Sequence, residues 1–402
     1  MSLRDRLNFL RTVPDSEVPP PVSSQRAPLP YLFPLETAHG LTYYCDKIFI
    51  DYHGQVDLKQ FPEIPVEIIR FLSQDRNLAD FVVRDTLFLD IETTGTAGGT
   101  GTYAFLVGLG FVEDGFFQVR QFFLHDLAQE SAFLQAVQEF TGRFRYLVTY
   151  NGKSFDSQIL KTRYTMHRKD DPLQGKPHVD MLFIARRLWK KRFRECDLMN
   201  LERQLLNFYR ADDIPGYLIP SAYTDYLRFA KANLIQKVIH HNQWDIVSLA
   251  VLTARAALLQ REEELSPEEH FSLSLLFEKQ KECEKAVQHQ LRALAEDSVF
   301  RRSILLALAR NLRRMKDQER MQWLIHQTEN LVLDDPLSRQ ICILCEHDLK
   351  DYPLALKYAQ LQMQKLEKYR GLSSRFALQW KDWDRRYKRL ESKQQKVSSA
   401  IV

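Results

Sequence analysis

Four acidic residues, Asp90, Glu92, Asp156 and Asp245, lie in three segments that each read as part of an α/β core. Asp90 and Glu92 close the apolar run TLFLDIETTG, and the period-two alternation of a strand puts both carboxylates on one face of a sheet. Two carboxylates side by side repel, and they stay ionised together only when something positive joins them; hard oxygen donors of this kind suit Mg²⁺ or Mn²⁺. Asp156 follows a β-type run, Tyr146 to Tyr150, and a turn at Asn151 and Gly152, which places it at a strand-to-helix junction. Asp245 lies in a helical stretch one turn after His241, so the two share a helix face. The chemistry this set could do is two-metal phosphodiester hydrolysis. Carboxylates hold two ions about 3.5–4 Å apart, one activating the attacking water and one stabilising the leaving oxygen. A nearby histidine serves as general base.

The elements that must position these groups are legible in outline. Strand-type runs centre near Leu87, Phe105, Gln118 and Leu147, and the chain is then mostly helical to about residue 261. That order predicts a mixed five-stranded sheet flanked by helices. Before it, residues 38 to 80 suggest a small β-ribbon and a short helix near Ile68 to Leu72.

The stretches FLDIETTG, YNGKSFD and HHNQWD resemble the three exonuclease motifs of the DEDD group in the ribonuclease-H-like superfamily. Longer segments, DIETTGTAGGTGTYAFLVGLG, LVTYNGKSFDSQIL, DLMNLERQLLNFYRADDIPGYLIPSAY and HNQWDIVSL, resemble the YprB-type bacterial proteins, also called the mitomycin repair factor B type. The resemblance runs from about residue 40 to about residue 260. It implies a ribonuclease-H-like fold and a metal-dependent 3′–5′ exonuclease acting on DNA in repair, beside a helicase partner. It also implies that Asp90, Glu92, Asp156 and Asp245 hold Mg²⁺ or Mn²⁺, two ions in all. Two histidines compete for the base. His240 meets the His-x4-Asp spacing of one DEDD subgroup, whereas His241 stands where the other carries its Tyr, and HNQWDI aligns better with that second pattern, favouring His241.

An Asp-x-Glu at a strand end is, alone, a solvated edge in most proteins; three motifs in order are what carry the reading. Two further functions stay open: a non-catalytic adaptor that recruits a helicase or repair partner, and an RNA-processing ribonuclease. NGKS at Asn151 to Ser154 is no phosphate-binding loop, because Leu147 occupies the position of its first glycine. The glycine cluster from Gly95 to Gly110 reads as the turn between the first two strands, with room for a nucleic-acid strand to lie close. Arg186, Arg187, Lys190, Lys191, Arg192 and Arg194 interleave with Trp189 and Phe193. This segment either neutralises phosphates and stacks bases, flanking the site, or is a solvated helix face with Trp189 buried. Asp180 reads as a supporting acid.

With 402 residues, 45% hydrophobic and 27% charged, the chain has the composition of a globular protein of two or three domains. Its N-terminus lacks a secretory apolar region and no 18-residue apolar run occurs, so a cytoplasmic location is expected. Five cysteines in a long chain do not suggest a disulfide framework, and Cys342 and Cys345 read as core residues of a helix. The expected organisation is a proline-rich mobile arm over 1–35, a β-ribbon and helix extension over 36–80, the exonuclease domain over 81–261, helical repeats over 265–385 and a basic tail over 386–402. Ala286, Met321 and Ala355 recur 35 and 34 residues apart, the period of tetratricopeptide hairpins, although most of that consensus is absent. The repeat surface would bind a protein or extend the nucleic-acid path.

Overall fold

The computed structural model describes residues 29–401 apart from 65–66, 79, 96–97, 260–264, 295–297 and 329–334. The chain divides into two compact units, one bounded as Met1–Ile184 with Cys196–Arg261, the other as Ala185–Glu195 with Glu262–Val402.

The first unit is a mixed sheet covered by helices. Its strands are β1 (Phe33–Thr37), β2 (Gly40–Phe49), a separate short hairpin β3 (Tyr52–His53) and β4 (Val56–Asp57), then β5 (Thr86–Thr93), β6 (Ala104–Glu113), β7 (Phe116–Phe123), β8 (Tyr146–Thr149) and β9 (His178–Asp180). Its helices are α1 (Glu67–Ser73), α2 (Glu130–Thr141), α3 (Asp156–Met166), α4 (Met181–Trp189), α5 (Leu198–Leu201), α6 (Ile219–Phe229) and α7 (Ile235–Leu258), α4 running across the boundary into the second unit. The main sheet has the order β1-β2-β7-β6-β5-β8-β9. β8 pairs in parallel with β5 and β9, and the other neighbours are antiparallel. β5 lies inside the sheet between β6 and β8, and its sequence is apolar on both faces: Leu87, Phe88, Leu89 and Ile91 are all buried.

β5 to β8 are the four strands expected near Leu87, Phe105, Gln118 and Leu147, and β9, in the stretch expected to be mostly helical, completes a five-stranded core; the sheet has seven because β2 adds along β7, Tyr43 opposite Phe123 through Phe49 opposite Phe117, and β1 along β2. The ribbon expected as a separate extension is therefore part of the main sheet. Pairing of Tyr43–Phe49 of β2 satisfies an edge that β7 would otherwise leave open. Of the proline-rich arm, residues 1–28 lie outside the described residues; Leu29 and Leu32 are buried in the core and Phe33 starts β1, so the arm does not extend to residue 35.

Helix α7 covers one face of the sheet. Gly108 and Gly110 in β6 admit it: a methyl group at Gly108 would lie 2.1 Å from Asn242 Oδ1, and one at Gly110 would lie 2.5 Å from Ile246 Cγ2. Thus the glycines at the end of the cluster make a helix contact. Those earlier in it form the turn, with Gly98 and Gly99 at φ +70° and +81°.

The second unit is helical: α8 (Pro267–Lys279), α9 (Cys283–Ala293), α10 (Arg301–Met315), α11 (Gln318–Thr328), α12 (Asp335–Ile343), α13 (Tyr352–Glu367) and α14 (Ser374–Ile401). Ala286, Met321 and Ala355 fall on α9, α11 and α13, the second helix of each successive pair, and all three are fully buried. Cys342 and Cys345 are unpaired core residues, and burial pushes both thiols up, Cys342 to about 11. The basic tail is helical rather than a separate segment. It continues α14, and Arg389 and Lys393 bond the fully buried Glu346 at 2.7 and 2.8 Å, with Arg386 at 3.4 Å. The basic segment 185–195 groups with this unit, and its Trp189 is buried, donating Nε1–H to Glu269 at 3.0 Å; Trp189 anchors the unit and is not available to stack on a base. Among the described residues no helix is long and apolar enough to cross a membrane.

Candidate metal centre

Alternation along β5 buries Ile91 and Thr93 to one side and turns Asp90 and Glu92 to the other, the face that α7 covers. Asn242 of α7 donates to Asp90 Oδ2 at 2.8 Å. Asn242 is itself held by Gln121 of β7, whose amide donates to Asn242 Oδ1 at 2.7 Å and to the Ile239 carbonyl at 2.9 Å, while Gln243 donates to Gln121 Oε1 at 2.8 Å. A buried chain of amides thus sets Asp90 against the helix that carries Asp245.

Asp156 opens α3 and is 5% exposed. Asp180 fixes the turn before it, accepting from the backbone N–H of Asn151 at 2.8 Å and of Lys153 at 3.1 Å, and from Leu182 at 3.1 Å. Asn151 sits at φ +63°, and Gly152 packs where a side chain would meet Thr149. Asp180 therefore supports the loop with both oxygens. At the far end of α3, buried Arg163 pairs with Glu130 of α2 and donates to the Thr100 carbonyl at 2.6 Å, tying the glycine-rich turn to the same scaffold.

On α7, His241 and Asp245 face the acids. One ligand atom from each of Glu92, His241 and Asp245 can be chosen so that all lie within 4.8 Å of one another. His241 Nε2 is 3.3 Å from Asp245 Oδ2, and His241 Nδ1 is 2.8 Å from Asp213 Oδ1. With Asp213 accepting from Nδ1–H, Nε2 keeps its lone pair on the side of the acids. His240 is exposed on another part of the helix surface, its ring against Trp244.

Sequence reasoning did not single out Arg210 or Asp213. Arg210, with a side chain 3% exposed, donates to Asp245 Oδ1 at 2.6 Å and to Glu202 Oε2 at 2.9 Å, lies 3.3 Å from Asp213, and approaches His241 Nδ1 at 3.4 Å. Both residues lie in the quoted stretch LERQLLNFYRADDIPGYLIPSAY, but no periodicity there marks them. An arginine and an aspartate in a loop some thirty residues before Asp245 meet it only through the fold.

The electrostatics are those of crowded anions. Burial and the carboxylates of Asp245 and Asp156 push Asp90 and Glu92 well above the ordinary range; Asn242 opposes this at Asp90 and Arg210 opposes it at Glu92. Burial, Asp180 and Asp245 push Asp156 up to about 8. Asp156 Oδ2 is buried without a hydrogen-bond partner, and an orphaned carboxylate oxygen among other carboxylates is the donor a hard divalent cation takes up. The residues fit such an ion: oxygen donors dominate, and Arg210 offsets only part of the charge.

Residues 87–257 match the model of the ribonuclease H superfamily. The chain is also similar to the uncharacterized protein YprB of Bacillus subtilis (strain 168), 29% identical over 339 residues, which are 82% of this chain and 79% of that protein. The match spans the strands and helices that bear Asp90, Glu92, Asp156, His241 and Asp245. The chain thus carries a stretch matching the ribonuclease H superfamily over residues 87–257, is similar to YprB along most of its length, and ends in a helical C-terminal region.

Proposed function

We propose that this protein is a divalent-metal-dependent 3′–5′ exonuclease that hydrolyses phosphodiester bonds of DNA, working in DNA repair and beside a helicase. The observation that carries the reading is the convergence of Asp90, Glu92, Asp156 and Asp245 from β5, α3 and α7, with His241 beside them and one buried carboxylate oxygen unpartnered. Asp90, Glu92, Asp156 and Asp245 would hold Mg²⁺ or Mn²⁺, two ions being the arrangement that serves both the attacking and the leaving oxygen. Bound there, the ions supply Lewis acidity to the attacking water and to the leaving 3′-oxygen.

The chain's own residues do the rest. His241 Nε2 takes the proton of the attacking water, and Asp213 at Nδ1 and Asp245 near Nε2 stabilise the imidazolium that results. Arg210 holds Asp245 and Asp213 in register and lowers the net negative charge that a phosphodiester must approach. The buried amides Gln121 and Asn242 keep Asp90 from turning away.

The test is degradation of end-labelled single- and double-stranded DNA and RNA with Mg²⁺, Mn²⁺ or EDTA, comparing the unaltered protein with Asp156→Ala. Metal-dependent shortening of DNA from the 3′ end that disappears in the variant is the expected result. Equal activity in the variant refutes the site, shortening confined to RNA refutes the substrate, and binding without hydrolysis in every condition favours an adaptor.

A further inference from the structure

Charge is divided unevenly between the two units. The unit that carries the acid site has 25 Lys and Arg against 29 Asp and Glu, whereas the helical unit has 31 against 23. Without metal the first unit's net charge of −4 gives a polyanion no long-range attraction, whereas the helical unit's +8 does.

Part of the helical unit's excess is gathered on α10. Arg310, Arg313 and Arg314 stand at i, i+3 and i+4 and share a face. They line two neighbouring clefts of about 550 and about 400 Å³, both containing Arg310 and Arg314, with Lys279 and Lys281 on the wall of the larger. Among the described residues the three arginines form ion pairs with two acids. Glu278 is shared, accepting from Arg310 at 3.2 Å and from Arg314 at 3.1 Å, and Asp348 pairs with Arg313 at 3.1 Å. The three arginine side chains are 36%, 44% and 53% exposed, so they remain open to an anion from solvent.

We propose that this arginine face of α10 binds the phosphodiester backbone of nucleic acid, a site that rests on the nuclease reading and adds a cationic grip from the more basic unit. Guanidinium forks suit phosphate oxygens. The clefts offer no aromatic platform for bases, so the contact is to phosphate and independent of sequence. A backbone presenting a phosphate at every nucleotide engages several arginines of one helix face at once.

The experiment uses the full chain in EDTA, where no metal-dependent hydrolysis competes, and measures anisotropy of a labelled 30-nucleotide single strand across a salt series. Each phosphate contact contributes about 0.7 to the slope of log K against log salt for single strands. Arg310→Gln with Arg313→Gln and Arg314→Gln should flatten the slope by about 2 and weaken binding at low salt by tenfold or more, while Arg310→Lys with Arg313→Lys and Arg314→Lys should keep most of the slope. Should the Gln triple melt early, Arg313→Gln alone should flatten it by about 0.7. An unchanged slope overturns the proposal. So does an acidic peptide that binds the unaltered protein and is lost in the Gln triple while DNA binding persists. Hydrolysis of a dinucleotide separates the two readings: the Gln triple retains it if only the backbone grip is gone, whereas a protein that binds DNA through α10 yet cleaves nothing refutes the nuclease reading alone.

Discussion

Replacing Asp156 by Asn should stabilise the metal-free protein. In the folded state burial, Asp180 and Asp245 push Asp156 up to about 8, from an ordinary value of 3.8. The folded chain therefore keeps a proton that the unfolded chain releases, and stability falls as pH rises from about 4 towards 8. At pH 7 the mismatch spans about three pH units at about 1.4 kcal/mol each, at most about 4 kcal/mol. Asn has nearly the same shape and no charge, so Asp156→Asn recovers most of this at pH 7 and little at pH 4. For a unit of this size 1 kcal/mol moves Tm by about 2–4 °C, which makes the shift on the order of 10 °C. The assay is thermal unfolding in EDTA at several pH values, repeated with Mn²⁺. The unaltered protein should gain stability on mild acidification from pH 8 to pH 5 and on adding metal. The variant should show less of both, because the repulsion that metal relieves has been removed. A variant that melts no higher than the unaltered protein in EDTA at pH 7 would refute the claim that Asp156 is held against its own charge.

Other perturbations test the surroundings. Arg210→Met strands the buried carboxylate of Glu202 and should cost about 3–5 kcal/mol in chemical denaturation; a loss below 1 kcal/mol would mean that Glu202 is protonated or hydrated instead. Asp213→Asn keeps the loop but frees the tautomer of His241, and should lower the hydrolysis rate by about 10–100-fold at unchanged Tm. An unaffected rate would remove His241 from the role of base. Gly108→Ala drives a methyl group to within 2.1 Å of Asn242 Oδ1, so β6 and α7 must separate; overpacking of this kind costs about 1–3 kcal/mol, and metal binding read by calorimetry should weaken with it.

Much of the first unit could be read from local pattern, because strand and helix periodicities are properties of neighbouring residues. The alternation in TLFLDIET put Asp90 and Glu92 on one face, and the one-turn spacing put His241 beside Asp245. The period of 34 to 35 residues placed Ala286, Met321 and Ala355 on equivalent helices. Edge addition of β2 to β7 was not legible, since pairing between strands whose partners, such as Tyr43 and Phe123, are far apart in sequence leaves no mark in either. The same holds for Glu346, which gathers the tail's cations from a helix about 40 residues earlier. Sequence by itself determined which side chains could hold metal and the elements that bear them, through composition and spacing. Tertiary structure alone decided that Arg210 and Asp213 join Asp245 and His241, that Gln121 and Asn242 lock Asp90, and that Trp189 is an anchor. Those contacts depend on where distant backbones cross, and no periodicity within a segment encodes that.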